Sequence, residues 1–140
     1  MTFVVSDLDA MEEILTTVLG ARRVYDSGAD QFSVSEERFF LVSDDDIWIA
    51  AMKGDPLPDR SYNHVAFAVA DEDLETYRDR VVSLGLDIRE GRPRVAGEGR
   101  SLYFHDRDNH LFELHSGTLG ERLARYAAGP ASPASEGSTT

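Results

Sequence analysis

The chain holds four histidines, at positions 64, 105, 110 and 115, and no cysteine. A bound metal would therefore sit on His, Asp or Glu, and a thiolate nucleophile or thiolate zinc site is excluded. Strand alternation sorts the candidates. In the stretch from His64, the side chains of His64, Ala66 and Ala68 share one face, while Val65, Phe67 and Val69 form the other and would pack on a helix. A histidine beside two alanines has open space in front of it. The plainer alternative is a strand-end histidine bonded to backbone. Between His110 and His115, the side chains of Leu111, Glu113 and His115 share a face. Glu113 is thus a carboxylate in the middle of a strand that otherwise looks buried, and leaving it there unpaired would be costly. Its partner is either an arginine or a metal shared with His64. His105, His110 and His115 read as structural.

The surroundings of these residues bound what they could serve. There are 14 Lys and Arg against 26 Asp and Glu, a formal charge of −12, with the acids spread through every segment. That balance excludes the phosphate-tracking surface of a nucleic-acid binder and favours a small or local partner. Hydrophobic residues make up 41%, enough for one core in a domain of 140 residues. The longest apolar runs, Ile47 to Met52 and Val65 to Ala70, are far short of the ~20 residues that span a bilayer. Without a basic, apolar leader after Met1, the chain as given is expected to stay in the cytoplasm.

Thr2 to Ser6 alternates as a short strand, with Phe3 and Val5 on one face. From Asp7 the period becomes helical through Met11, Ile14, Leu15, Val18 and Leu19, and Gly20 marks the stop. Gln31 to Val34, Arg38 to Val42 and Ile47 to Met52 read as three strands. Ser43 to Asp46 reads as an acidic hairpin turn, because the helical flanks and glycine of a calcium loop are absent. The second half repeats the first. Phe67, Val69 and Asp71 copy Phe3, Val5 and Asp7 at a constant offset of 64 positions, and the helix after them ends at Leu84-Gly85 as the earlier one ends at Leu19-Gly20. Strands around Ile88, at Ser101 to His105 and at His110 to His115 follow, the last two joined by Asp106-Arg-Asp-Asn109, a tight-turn composition. The chain therefore reads βαβββ twice, and duplication is the economical account. Thr118 and Glu121 stand at capping-box spacing ahead of an amphipathic C-terminal helix. The expected layout is one domain over 1–128, with modules at about 1–54 and 61–117, a C-terminal helix at 118–128 and a disordered tail at 129–140.

The run Arg92-Pro-Arg-Val-Ala-Gly-Glu-Gly-Arg-Ser-Leu-Tyr103, the stretch Asp108-Asn-His-Leu-Phe-Glu-Leu-His115, Gly117-Thr-Leu119 and Ser61-Tyr-Asn-His64 closely resemble the fosfomycin epoxide hydrolases. These are manganese-dependent members of the vicinal oxygen chelate superfamily, alongside glyoxalases, extradiol dioxygenases and bleomycin-binding proteins. The resemblance covers Met1 to about Tyr126. It implies an α+β fold of paired βαβββ modules around a metal, a homodimer, and hydration of the fosfomycin oxirane to a vicinal diol phosphonate.

Position by position, the resemblance places His64 and Glu113 on two of three ligands for Mn²⁺ or another divalent cation. The third is a histidine preceding the first strand, and Met1 aligns with the residue after it. The repeat reaches the same place, since subtracting 64 from His64 gives position 0. The expectation is that the natural protein starts upstream, which the upstream gene sequence would settle. Glu37 falls on the general base; from its own neighbourhood it reads rather as a solvated acid beside Glu36, although it could share an inward face with Leu41. Thr2, Arg94, Ser101, Tyr103 and Arg122 fall on groups that hold the substrate phosphonate, which suits the need of a dianion for hydroxyl donors and guanidinium charge. Trp48 and Tyr62 are pocket-lining candidates, and aromatic core residues otherwise. Two rivals share the scaffold: a thiol transferase opening the same epoxide, and a non-catalytic drug-binding module.

Overall fold

The computed structural model describes residues 1–29, 34–44, 46–90 and 99–129. The chain runs β1 (Thr2–Val5), α1 (Leu8–Leu19), β2 (Arg22–Asp26), β3 (Glu37–Val42), β4 (Ile47–Lys53), β5 (His64–Ala68), α2 (Leu74–Ser83), β6 (Ile88–Arg89), β7 (Ser101–His105), β8 (Leu111–His115) and α3 (Leu119–Ala127). A single 3₁₀ turn, Asp71–Asp73, leads into α2.

Local chemistry sets the helix ends. Asp7 caps α1 by accepting a hydrogen bond from the Ala10 amide at 3.1 Å, and Gly20 closes it at φ +66°, a conformation open to glycine. Thr118 caps α3 in the same way, accepting from the Glu121 amide at 3.0 Å. The expected strand at Gln31 to Val34 is not the second strand of the module; that strand is Arg22–Asp26. Gln31 to Ser33 lie outside the described residues, and Val34 is 88% exposed and outside any strand. The alternation rule missed β2 because it is a mostly exposed edge strand, paired with β3 alone and bulged between Arg23 and Tyr25. Charge rather than apolar alternation holds it. Glu12 of α1 accepts from Arg23 at 3.1 Å and from Arg38 at 2.8 Å.

Each half forms a four-stranded sheet, ordered β1-β4-β3-β2 and β5-β8-β7-β6. Strand for strand these orders are the same, with the outer pairs β1/β4 and β5/β8 parallel and the rest antiparallel. The duplication read from the sequence is therefore present in the topology. The two sheets share one core on their helix-covered faces, with Phe3 of β1 against Phe112 of β8 at 5.2 Å between ring centroids. The opposite faces are left open. Thr2, Val4 and Trp48 are exposed on the first sheet, and His64, Ala66 and Ala68 on the second. Residues 130–140, the remainder of the expected tail, lie outside the described residues.

The halves are also pinned by a polar contact at the end of β1. Asp108, buried in the turn between β7 and β8, accepts from the Ser6 hydroxyl at 2.6 Å and from the Ser6 amide at 3.2 Å. Asp106 shapes the same turn, accepting from the amides of Asp108 and His110 and pairing with the His110 ring at 2.7 Å. Truncating Asp108 would leave the Ser6 donors without their partner. We expect Asp108→Ala to lower unfolding free energy by about 2–3 kcal/mol and Ser6→Ala by about 1 kcal/mol. Urea titration of both variants measures this, and unchanged midpoints would show that the contact contributes nothing.

Candidate functional site

Three rows of side chains cross the open face of the second sheet. His64, Leu111 and His105 form the first, Ala66, Glu113 and Tyr103 the second, and Ala68, His115 and Ser101 the third. The small side chains of Ala66 and Ala68 leave the space in front of Glu113 open, as the sequence pattern implies. Glu113 is only 7% exposed, and its Oε1 lies 3.1 Å from Nε2 of His64.

The other ring nitrogen of His64 decides what that contact is. Nδ1 lies 2.7 Å from the carbonyl oxygen of Tyr62, an acceptor, so Nδ1 carries the proton and donates it. Nε2 then faces a buried carboxylate, and without a proton it would present a lone pair to it. Two acceptors at that distance repel unless a cation, a proton or a metal ion, lies between them. A backbone carbonyl fixing the tautomer of a histidine whose other nitrogen faces a carboxylate is the arrangement of a metal ligand.

Around the far oxygen of Glu113 the donors are dense. The Ser101 hydroxyl donates to Oε2 at 2.5 Å and lies 2.7 Å from Nδ1 of His115, which itself sits 3.4 Å from Oε2. The Tyr103 hydroxyl also hydrogen-bonds Glu113 and receives a bond from the Tyr62 hydroxyl at 3.2 Å. Burial by itself would raise the pKa of Glu113. It is outweighed by the Ser101 hydrogen bond, the nearby His115 and His64, and the Tyr103 hydrogen bond, so the carboxyl stays below its ordinary value. Glu113 is thus held as an anion, the form a metal requires.

The remaining candidates are placed unevenly. Arg122, on the half-buried side of α3, lines a cavity of about 240 Å³ with Ala66, Glu113, His115, Thr118 and Leu119. Thr2 shares with His64 a crevice of about 390 Å³ between the edges of the two sheets. Glu37 opens β3 and is 9% exposed, so it is not the solvated acid its neighbourhood suggests. It stands in register with Met52 and Val4, on the open face of the first sheet. No hydrogen bond or ion pair joins it to His64 or Glu113, which lie on the other sheet. Arg94, Gly97 and Glu98 lie outside the described residues. Gly99, just before β7, has φ +79°, and a Cβ there would meet the Gly117 backbone nitrogen at 2.6 Å. Only glycine allows that crossing, which brings the start of β7 beside the end of β8. Among the described residues no three His, Asp or Glu side chains form a metal site, so His64 and Glu113 stand as a pair.

The sequence reading left His115 as structural, yet it touches both Ser101 and Glu113. Its shared face with Glu113 was the available signal. Tyr62, a pocket-lining candidate, has a second part that side-chain patterning does not register, because its backbone carbonyl orients His64.

The profile of the Glyoxalase/Bleomycin resistance protein/Dioxygenase superfamily matches residues 1–114. The chain belongs to this superfamily. Within it, the fosfomycin resistance protein FosX of Mesorhizobium japonicum is 59% identical over 129 residues, covering 92% of this chain and 91% of the relative. A crystal structure of a mutant FosX from Listeria monocytogenes, complexed with Mn(II) and 1S,2S-dihydroxypropylphosphonic acid, superposes with a TM-score of 0.80 at 46% identity, covering 89% of this chain and 93% of that one. The metallothiol transferase FosB of Lysinibacillus sphaericus is 31% identical over 130 residues, covering 90% of this chain and 86% of the relative.

The state of Glu113 gives a test in the metal-free protein. A carboxyl whose folded pKa lies below its unfolded value contributes stability above the unfolded value, and that contribution is lost as pH falls through the folded one. For Glu113 the loss runs downward from about pH 4.5, its ordinary value. Removing the Ser101 hydrogen bond raises the folded pKa. Ser101→Ala should therefore lose more stability at pH 7 than at pH 3, measured by urea unfolding at both; an equal loss would show that Ser101 does not act through the Glu113 charge.

Proposed function

We propose that this protein is a metal-dependent hydrolase that adds water to the oxirane of fosfomycin, giving a vicinal diol phosphonate and so conferring resistance. The observation that carries this is the contact of His64 with the buried Glu113, whose facing atoms call for a cation between them, on a scaffold 59% identical to a FosX. The donor set, one imidazole and one carboxylate, suits Mn²⁺ or a similar divalent ion, and the relative of known structure was solved with Mn(II). His64 and Glu113 would hold that ion, which when bound supplies Lewis-acid stabilisation of the oxygen charge released on ring opening.

The other groups follow from chemistry and position. Glu37, a carboxylate with little exposure and no cationic partner among the described residues, is the base that takes a proton from the attacking water. Water attacks the ring carbon that bears the phosphonate, the C–O bond breaks, and the oxygen gains a proton to give the diol. Arg122, beside the cavity at Glu113, supplies guanidinium charge to the phosphonate. Thr2, Ser101, Tyr103 and Arg94 complete that recognition; the hydroxyls of Ser101 and Tyr103, directed at Glu113 in the structure, turn to the phosphonate once the carboxylate charge is neutralised.

Glu37 must meet the metal pair from a different sheet, and a homodimer supplies that meeting. The open face of the first sheet in one copy would cover the open face of the second sheet in the other. Supporting this, the first sheet exposes Val4, Val24 and Trp48, the last at 58%, and α3 exposes Leu119, Leu123 and Tyr126 along one stripe. Among the described residues no helix is long and apolar enough to cross a membrane, so these apolar faces are better explained by protein contact.

Incubation of fosfomycin with the protein and Mn²⁺ should yield a product heavier by one water, with no thiol required. A thiol adduct formed only with added thiol would instead identify a transferase, and unchanged substrate would favour a binding module. Glu37→Gln should lower turnover by ~10²–10⁴ while Mn²⁺ binding, followed by calorimetry, is retained. On β1 the even positions face the open side with Thr2, so a histidine placed ahead of Met1 would point the same way. A chain extended by that residue should bind Mn²⁺ at least tenfold more tightly than the present one, by the same calorimetry.

A further inference from the structure

At the outer edge of the second sheet, beside the proposed metal pair, one guanidinium has no carboxylate partner among the described residues. Arg89 lies on β6 directly opposite Tyr103 of β7, on the open face. Its guanidinium carbon sits 5.0 Å over the ring of Tyr62. That ring packs edge-on against His64 at 4.9 Å, and its hydroxyl donates to Tyr103 at 3.2 Å. Arg89 thus stands one aromatic ring from the metal ligand. The neighbouring arginines are engaged: Arg60 with Asp87 at 2.8 Å, and Arg100 with Asp71 at 3.0 Å.

Behind Arg89 lies a second unusual group. His105 is 4% exposed, and neither of its ring nitrogens has a hydrogen-bond partner. Burial, then the positive charges of Arg60 and Arg89, hold its pKa below the usual histidine value and keep it neutral. Of the acids near this edge, Asp87 pairs with Arg60 and Asp106 with His110.

We propose that Arg89 is an outer docking residue for the substrate's phosphonate dianion, capturing it at the mouth of the site before it settles on the inner groups. This rests on the fosfomycin hydrolase reading above. A chain with a charge of −12 repels a dianion at long range, so productive encounter requires a local positive field at the point of entry. Arg89 supplies it, and its hold on Tyr62 is one that can be exchanged. An exposed cation over an aromatic ring is bound more weakly than a guanidinium paired through two charge-assisted hydrogen bonds to a phosphonate. Arg89 acts on capture and makes no demand on the ring-opening step.

The role separates from a structural one in kinetics. With the Mn²⁺-loaded protein at low salt, Arg89→Gln should lower kcat/KM for fosfomycin by roughly 5- to 20-fold with kcat within about twofold of wild type. The loss should shrink toward nothing as KCl is raised to about 0.5 M, because screening removes a capture effect. Arg89→Lys, which keeps the charge, should recover most of kcat/KM. Arg78→Gln on α2, which covers the opposite face of the sheet, removes the same charge and should match wild type. An unchanged kcat/KM in Arg89→Gln, or an equal fall in Arg78→Gln, overturns the proposal while leaving the hydrolase reading intact. If wild type gives no turnover, that reading fails, and inorganic phosphate as probe still decides Arg89: calorimetry should show weaker phosphate binding in Arg89→Gln, and equal binding rejects the role.

Discussion

An imidazole nitrogen and a buried carboxylate oxygen facing each other at 3.1 Å is the constraint on which the rest of this structure turns. Tyr62 accepts the Nδ1 proton and the donors around Glu113 favour its ionised form, so the contact calls for a cation, a proton or a metal ion, between the two. The pair is held by neighbours on three strands of one sheet. Regular β-structure is suited to that task, since its registers fix the side-chain rows, while Ala66 and Ala68 leave the approach open. A cation between the two would join them, and the surrounding hydroxyls keep the carboxylate charged.

The duplicated architecture explains why this face is available at all. Each βαβββ module covers one side of its sheet with a helix and leaves the other bare, and the covered sides merge into one core. Each chain thus presents two bare faces. The candidate residues divide between them: His64, Glu113 and their hydroxyl partners on the second sheet, the buried acid Glu37 on the first.

Much of this was legible in the sequence where period and spacing carry physical content. The offset between the Phe3 and Phe67 strands anticipated the repeated topology, and alternation put His64 on one strand face with Ala66 and Ala68, and Glu113 on another with Leu111 and His115. What escaped has definite causes. β2 is a mostly exposed edge strand, tied to α1 by Arg23 to Glu12 and to β3 by Asp26 to Arg38, so it has no apolar rhythm to read. Glu37 looked solvated because its two-residue neighbourhood is acidic, whereas its burial is set by strands far away in the chain. Arg89 lies on a strand of two residues, too short for any pattern, and its position opposite Tyr103 exists only once β6 and β7 pair. His105 resembled filler until its two unpartnered nitrogens were seen.

The contact between Ser6 and Asp108 has a mechanical consequence. It clasps the end of the strand that carries Thr2 to the turn joining the strands that carry Tyr103 and Glu113, and it does so beside a continuous core. The two halves of one chain therefore behave as a single stiff body, with little freedom to open or close against each other. Were two copies to pair by these faces as proposed, any adjustment of the distance between Glu37 of one and Glu113 of the other would have to come from sliding one whole subunit over the other.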